Sequence, residues 1–99
     1  MSREIVHVIA TFVAAPGKED ELEAVLVTLV EPTRREAGCL RYDLVRGHGR
    51  SAELAFIEEW ESLAHLEAHA QTDHLHAVQA RVAPLLASAA SIERYRRVR

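Results

Sequence analysis

The stretch Glu53-Leu54-Ala55-Phe56-Ile57-Glu58-Glu59-Trp60-Glu61-Ser62-Leu63-Ala64-His65-Leu66 changes its period midway. Up to Trp60 it alternates. Leu54, Phe56, Glu58 and Trp60 fall on one face of a strand, and Ala55, Ile57 and Glu59 on the other. Ser62 is then a credible N-cap for a helix carrying Leu63, Leu66 and Ala70. A strand that feeds directly into a helix is half of a repeating unit, and the rest of the chain supplies the other half.

Residues 4–14 are β-branched and apolar. Positions 6, 8, 10 and 12 face one way and 5, 9 and 13 the other, so both faces of this first strand ask for cover. Pro16-Gly17 turns the chain. Lys18 to about Ala37 reads as helix, with Leu22, Val25, Leu26 and Leu29 at helical spacing. Glu19, Asp20 and Glu21 sit where the helix dipole favours negative charge. Pro32 predicts a kink or break, and Gly38 the helix end. Residues 39–46 read as a second strand with Leu40, Tyr42 and Leu44 on one face. Gly47-His48-Gly49-Arg50-Ser51 turns into the strand already described. Thr72 can cap a further helix bearing Leu75, Val78 and Val82, and Pro84 should end or bend it. Ile92 to Val98 reads as an edge-like fourth strand.

The resulting order is β-α-β-β-α-β, an α+β ferredoxin-like unit with an antiparallel sheet and helices on one face. Helices on one face leave the other face of strand one uncovered. In a chain this short, a second copy is the simplest cover, so a homodimer is expected.

With 99 residues, a single domain over residues 1–99 is expected. A net charge of −3 argues against a nucleic-acid surface. Arg94, Arg96, Arg97 and Arg99 cluster at the C-terminus and read as a solvated strand and tail. The single cysteine, Cys39, excludes an internal disulfide framework and reads as a small buried residue. No signal-peptide pattern or membrane-length apolar run appears, so a cytoplasmic location is expected.

Six histidines are the main chemical resource, because histidine moves protons near neutral pH. His65 and His69 are i, i+4 on a helix and could share a metal, but the sequence offers no convincing third ligand. Glu58 on a face with Leu54, Phe56 and Trp60 must be paired, or else be a functional acid. Tyr42 is core packing with a wet tip or an orienting hydroxyl. His7 on the central strand reads as a satisfied core or interface residue.

Four pieces together resemble a known family: Pro16-Gly17-Lys18, Glu31-Pro32-Thr33-Arg34, Gly38-Cys39-Leu40-Arg41-Tyr42-Asp43, and Trp60 followed by His69 and His74. The chain resembles the antibiotic biosynthesis monooxygenase superfamily, in its quinol-monooxygenase-like branch, from about residue 4 to about residue 95. His69 matches a family histidine nine residues after the strand-three Trp. His74 matches a second one, although Asp73 replaces the usual Pro. The resemblance implies a sheet-to-sheet dimer that oxidises a quinol or polycyclic phenol to a quinone with O₂, without metal or prosthetic group. For that chemistry His69 is the expected base, with His74 or Glu58 as its proton partner, and Trp60, Tyr42 and Phe56 as an aromatic wall. Glu31 and Arg34 would form an interhelical or dimer salt bridge. The haem-degrading members of the superfamily call for an Asn, a Trp and an axial His where Ala10, His69 and Gln79 stand, so haem chemistry is not expected. Two alternatives stay open: an isomerase acting on a hydroxyketone, and a non-catalytic dimeric binding module.

Overall fold

In the computed structural model, which describes residues 4–99, the chain forms β1 (Val6–Val13), α1 (Glu19–Val27), α2 (Val30–Arg34), β2 (Cys39–Gly47), β3 (Arg50–Trp60), α3 (Leu63–His69), α4 (Asp73–Val82) and β4 (Ser91–Tyr95). The sheet order is β2-β3-β1-β4 and all three neighbouring pairs are antiparallel. This is the ferredoxin-like α+β arrangement expected from the order of elements. Trp60, Tyr42, Phe56, Leu22, Leu26 and Leu54 are the largest side chains sealed in the core between helices and sheet. No helix among the described residues is long and apolar enough to cross a membrane.

Three local details depart from the sequence reading. The long helix expected over 18–37 is two short ones, and the break lies upstream of Pro32. Proline has no N–H to give to the carbonyl four residues back, and its ring crowds that carbonyl. The affected residue is Thr28, and there the chain tightens. The amides of Thr28 and Leu29 donate to Val25 and Leu26, at 3.1 and 3.0 Å, and the Thr28 hydroxyl also donates to the Val25 carbonyl, at 2.6 Å. Pro32 itself sits in the first turn of α2, where an N–H would have had no helical partner.

The second departure is Leu40. A register irregularity between Cys39 and Arg41 places Cys39 opposite Trp60 and Tyr42 opposite Glu58. Leu40 is therefore half-exposed rather than aligned with Tyr42. The third is Arg34. It does not bridge between helices. Its guanidinium meets Glu31 of the same helix at 3.5 Å, and it reaches β2 through the Tyr42 carbonyl and the Asp43 carboxylate, both at 3.0 Å.

The sheet face away from the helices carries His7, Ile9, Thr11 and Val13 of β1 opposite Glu59, Ile57, Ala55 and Glu53 of β3. Ile9 and Val13 are each more than one-third exposed there. Charge rings this apolar centre: Arg41 pairs with Asp43 at 2.7 Å and with Glu59 at 3.6 Å, and His7 lies 4.0 Å from Glu59.

Candidate functional site

The inner face of the sheet and the helices enclose a cavity of about 530 Å³. Its floor is short-chained because β1 contributes Val8 and Ala10 at the centre of the sheet. Tyr42, Phe56, Glu58 and His69 wall one side, and Leu75, Val78 and Gln79 of α4 form part of the roof.

His69 owes its place to the capping of α3. Ser62 Oγ accepts the amide N–H of His65 at 3.3 Å and also meets the His65 ring at 2.8 Å, so His65 serves the cap. Leu66, His69 and Ala70 then share one helical face and turn it toward the cavity. The turn into α4 closes on the His69 carbonyl, which accepts both the amide and the hydroxyl of Thr72, at 3.2 and 2.9 Å. His74 follows one residue into α4.

Opposite these two imidazoles stands Glu36, in the turn between α2 and β2. Its backbone is fixed at both ends: its amide donates to Thr33 at 3.0 Å, and its carbonyl accepts from Cys39 at 3.2 Å. Gly38, at φ +82°, makes the reversal, and its carbonyl accepts from Glu61 at 2.8 Å. A Cβ at Gly38 would run into the His65 ring. One Glu36 oxygen, Oε2, meets both His69 Nδ1 at 2.9 Å and His74 Nε2 at 2.6 Å. With Glu36 ionised, both nitrogens donate to it, which leaves His69 Nε2 and His74 Nδ1 as acceptors. The three groups run from dry to wet: the side chains of His69, Glu36 and His74 are 6%, 14% and 29% exposed.

Around His69 the aromatic packing is close. The Trp60 ring lies 4.7 Å away, and Tyr42 meets the imidazole edge-on at 5.7 Å. Tyr42 also stacks on Phe56 at 4.4 Å. Burial and the neighbouring Glu58 push the Tyr42 hydroxyl well above the phenol range, so it stays protonated. Burial also pushes the Cys39 thiol up to about 11, with Glu36 and Glu58 adding to the effect, which removes it as a nucleophile at neutral pH.

Glu58 is the buried acid. Its Oε1 accepts the indole N–H of Trp60 at 2.9 Å. Burial pushes its carboxyl up to about 7; the Trp60 hydrogen bond opposes this, and the Glu36 charge adds to it. The unfolded chain releases this proton near 4.5, whereas the folded chain holds it to about 7. Between those values the folded state carries the extra proton, so stability falls as pH rises, by roughly 3 kcal/mol across the window, and levels off above it. Urea denaturation across this range should show the loss in the wild type and not in Glu58→Gln. Equal slopes for the two proteins would mean that Glu58 titrates normally.

The structure thus brings His69, Glu58, Tyr42 and Phe56 to one cavity and places two expected residues elsewhere. Trp60 is sealed behind the wall rather than part of it, because the last position of β3 lies beneath α3. His74 does not line the cavity either, since the first turn of α4 aims it at Glu36. Glu36 was missing from the sequence reading. The one signal for it was electrostatic: a carboxylate just past a helix C-terminus, where the dipole disfavours it, calls for a partner. Glu36, His69 and His74 also offer three donor atoms within 4.8 Å of one another, a set that a divalent metal accepts. Their present spacings of 2.6 and 2.9 Å are those of hydrogen bonds.

The fold and this cavity define a small α+β domain with one largely apolar, ligand-sized cavity, and comparison with known proteins is specific. The antibiotic biosynthesis monooxygenase family model matches residues 5–81, and the chain belongs to that family. It is 37% identical over 81 residues to an Escherichia coli protein named "Probable quinol monooxygenase YgiN", the match covering 71% of this chain and 77% of that one. It is 33% identical over 81 residues to sll1783 of Synechocystis, across 82% of this chain and only 55% of the relative's length. Among solved structures, PA3566 from Pseudomonas aeruginosa superposes with a TM-score of 0.92 at 36% identity, over 100% of this chain and 99% of the other. Rv0793 from Mycobacterium tuberculosis gives 0.90 at 30% identity, over 96% of each.

Proposed function

We propose that the chain is a cofactor-independent monooxygenase that oxidises a quinol or polycyclic phenol to a quinone with O₂. The observation that carries this is His69. It lines an aromatic-walled, largely apolar cavity, and Glu36 holds its Nδ1. The nitrogen left over, Nε2, takes the phenolic proton. The aryloxide is then its own reductant: it passes one electron to O₂, and the radical pair joins at a hydrogen-bearing ring carbon ortho or para to the oxygen. The hydroperoxide so formed loses water. One oxygen atom stays on the ring as a carbonyl and the other leaves as water, so the two electrons and two protons come from the substrate. The protein's share is the base, the orientation and a dry site in which the anion is reactive.

In this reading Glu36 fixes the tautomer of His69 and stabilises the imidazolium that forms. His74, the wettest of the three, passes the proton on to solvent. Glu58, protonated below about 7, donates to the substrate or gives its proton to the oxygen that leaves the peroxide as water. Tyr42 and Phe56 form the aromatic wall, and Trp60 buttresses His69 from behind. The apolar outer face with its charged rim pairs with a second copy, making the active species a homodimer.

The test is O₂ uptake with dihydroxynaphthalene- and anthrol-type substrates. It should be run below neutral pH, where autoxidation is slow, on material whose mass light scattering gives as twice that of the chain. Uptake in excess of buffer is expected without added cofactor. A second reading rests on the presence of two proton-transfer groups, His69 and Glu58, in one cavity: they would equally shuttle a proton on a hydroxyketone. Proton exchange on such a ketone, with no O₂ consumed by any quinol, would favour it.

A further inference from the structure

Among the described residues, Arg94 is the one arginine or lysine on the cavity wall. It came from the sequence as part of a basic tail, yet the β-ladder gives it a different role. Val8 of β1 pairs with Glu58 of β3 on one side and with Arg94 of β4 on the other. Tyr42 of β2 pairs with Glu58 in turn. Tyr42, Glu58, Val8 and Arg94 therefore form one row across all four strands. Side chains in such a row point to the same face, so Arg94 points to the cavity side. In the next row Ala10 lies between Phe56 and Ile92. The middle of both rows is short, which is what opens the slot. On either side of Val8 in the first row stand an acid, Glu58, at the deep wall and a cation, Arg94, at the rim. Two strand spacings, roughly 10 Å, separate their backbones.

Among the described residues no carboxylate pairs with Arg94, whereas Arg34, Arg41, Arg46 and Arg50 are all engaged in ion pairs. Among the described residues Arg35, Arg81, Arg96, Arg97 and Arg99 are unpaired too, so a free guanidinium alone would mean little. The distinction is position: only Arg94 borders the cavity. An apolar slot with proton-transfer groups at one end and a fork of unpaired donors at the other fits a ligand polar at both ends. A planar carboxylate suits that fork.

We propose that the cavity takes an aromatic substrate bearing an anionic group, a carboxylate on the ring system, with Arg94 as its counter-charge and the hydroxyl end toward His69 and Glu58. This rests on the reading of the cavity as a substrate pocket and narrows the substrate class. It makes Arg94 a specificity residue for charge rather than a participant in the chemistry.

The test is binding, separated from oxidation. Naphthalene carboxylate and naphthalene carboxamide, neither of them oxidisable here, are titrated by calorimetry into the wild type and Arg94→Gln, below pH 7 and at low salt. The expected result is about tenfold tighter binding of the carboxylate by the wild type, a preference that shrinks with added salt. Arg94→Gln should lose that preference while keeping its affinity for the carboxamide, which also shows that the variant is folded; Arg94→Lys should recover part of it. Equal binding of the two probes by the wild type, no binding of either, or an undiminished preference in Arg94→Gln would each overturn the proposal. The oxygenase reading fails separately, when quinols bind with this charge preference but consume no O₂.

Discussion

Replacing His69 with alanine is expected to lower the excess rate of O₂ uptake by about a hundredfold, the low end for a general base. His69 is nearly sealed, lines the cavity and gives its Nδ1 to Glu36 at 2.9 Å, which leaves Nε2 as the proposed acceptor of the phenolic proton. Truncation also strands Glu36, which keeps His74 at 2.6 Å as a partner. Stability should therefore fall less than activity, and the dimer should survive. Steady-state rates below neutral pH, with the buffer rate subtracted, are the measurement. An unchanged excess rate in a folded His69→Ala would remove His69 as base and leave Glu58 as the next candidate.

Trp60→Ala is expected to produce the largest loss of stability in the chain, about 3–5 kcal/mol. The indole is fully buried, lies against His69 at 4.7 Å and donates its N–H to Glu58 at 2.9 Å. Removing it leaves a void under α3 and strips a buried carboxyl of its donor, which adds to the cavity term. In a domain this small, such a loss lowers Tm by roughly 15 °C or more. Trp60→Phe keeps most of the ring and loses only the donor, so it should cost much less. Thermal unfolding followed by the sheet signal measures both. A Trp60→Ala that lost under about 1 kcal/mol would contradict its placement as the buttress of the site.

The fold was readable because its strands and helices have clean periods. Val6 to Val13 is a β-branched, apolar run, Leu54 to Trp60 alternates, Leu22 to Leu29 follows the helical stripe, and Pro16-Gly17 and Gly38 mark turns. What escaped was set by geometry rather than pattern. Pro32 signals a break, but its clash acts four residues back, at Thr28. Leu40 looks inward by alternation until one irregular position beside Arg41 shifts the parity. Of the residues expected at the site, His69, Glu58, Tyr42 and Phe56 line the cavity, whereas Trp60 and His74 stand outside it. Glu36 was not legible, because its partners lie 33 and 38 residues away in sequence and nothing local reports a long-range hydrogen bond. Arg94 reads as tail by composition, and only its pairing with Val8 turns it toward the cavity.

The most direct test of monooxygenation follows the oxygen atoms. A dihydroxynaphthalene with one hydroxyl on each ring and hydrogen at the carbon para to it is turned over by the wild type under isotopically labelled O₂, and the quinone and the reaction water are analysed by mass spectrometry. The expected result is one labelled oxygen in each quinone formed above the buffer rate, with the other recovered in water. Quinone without label, with the oxygen recovered as hydrogen peroxide, would contradict it and reduce the activity to plain electron transfer to O₂.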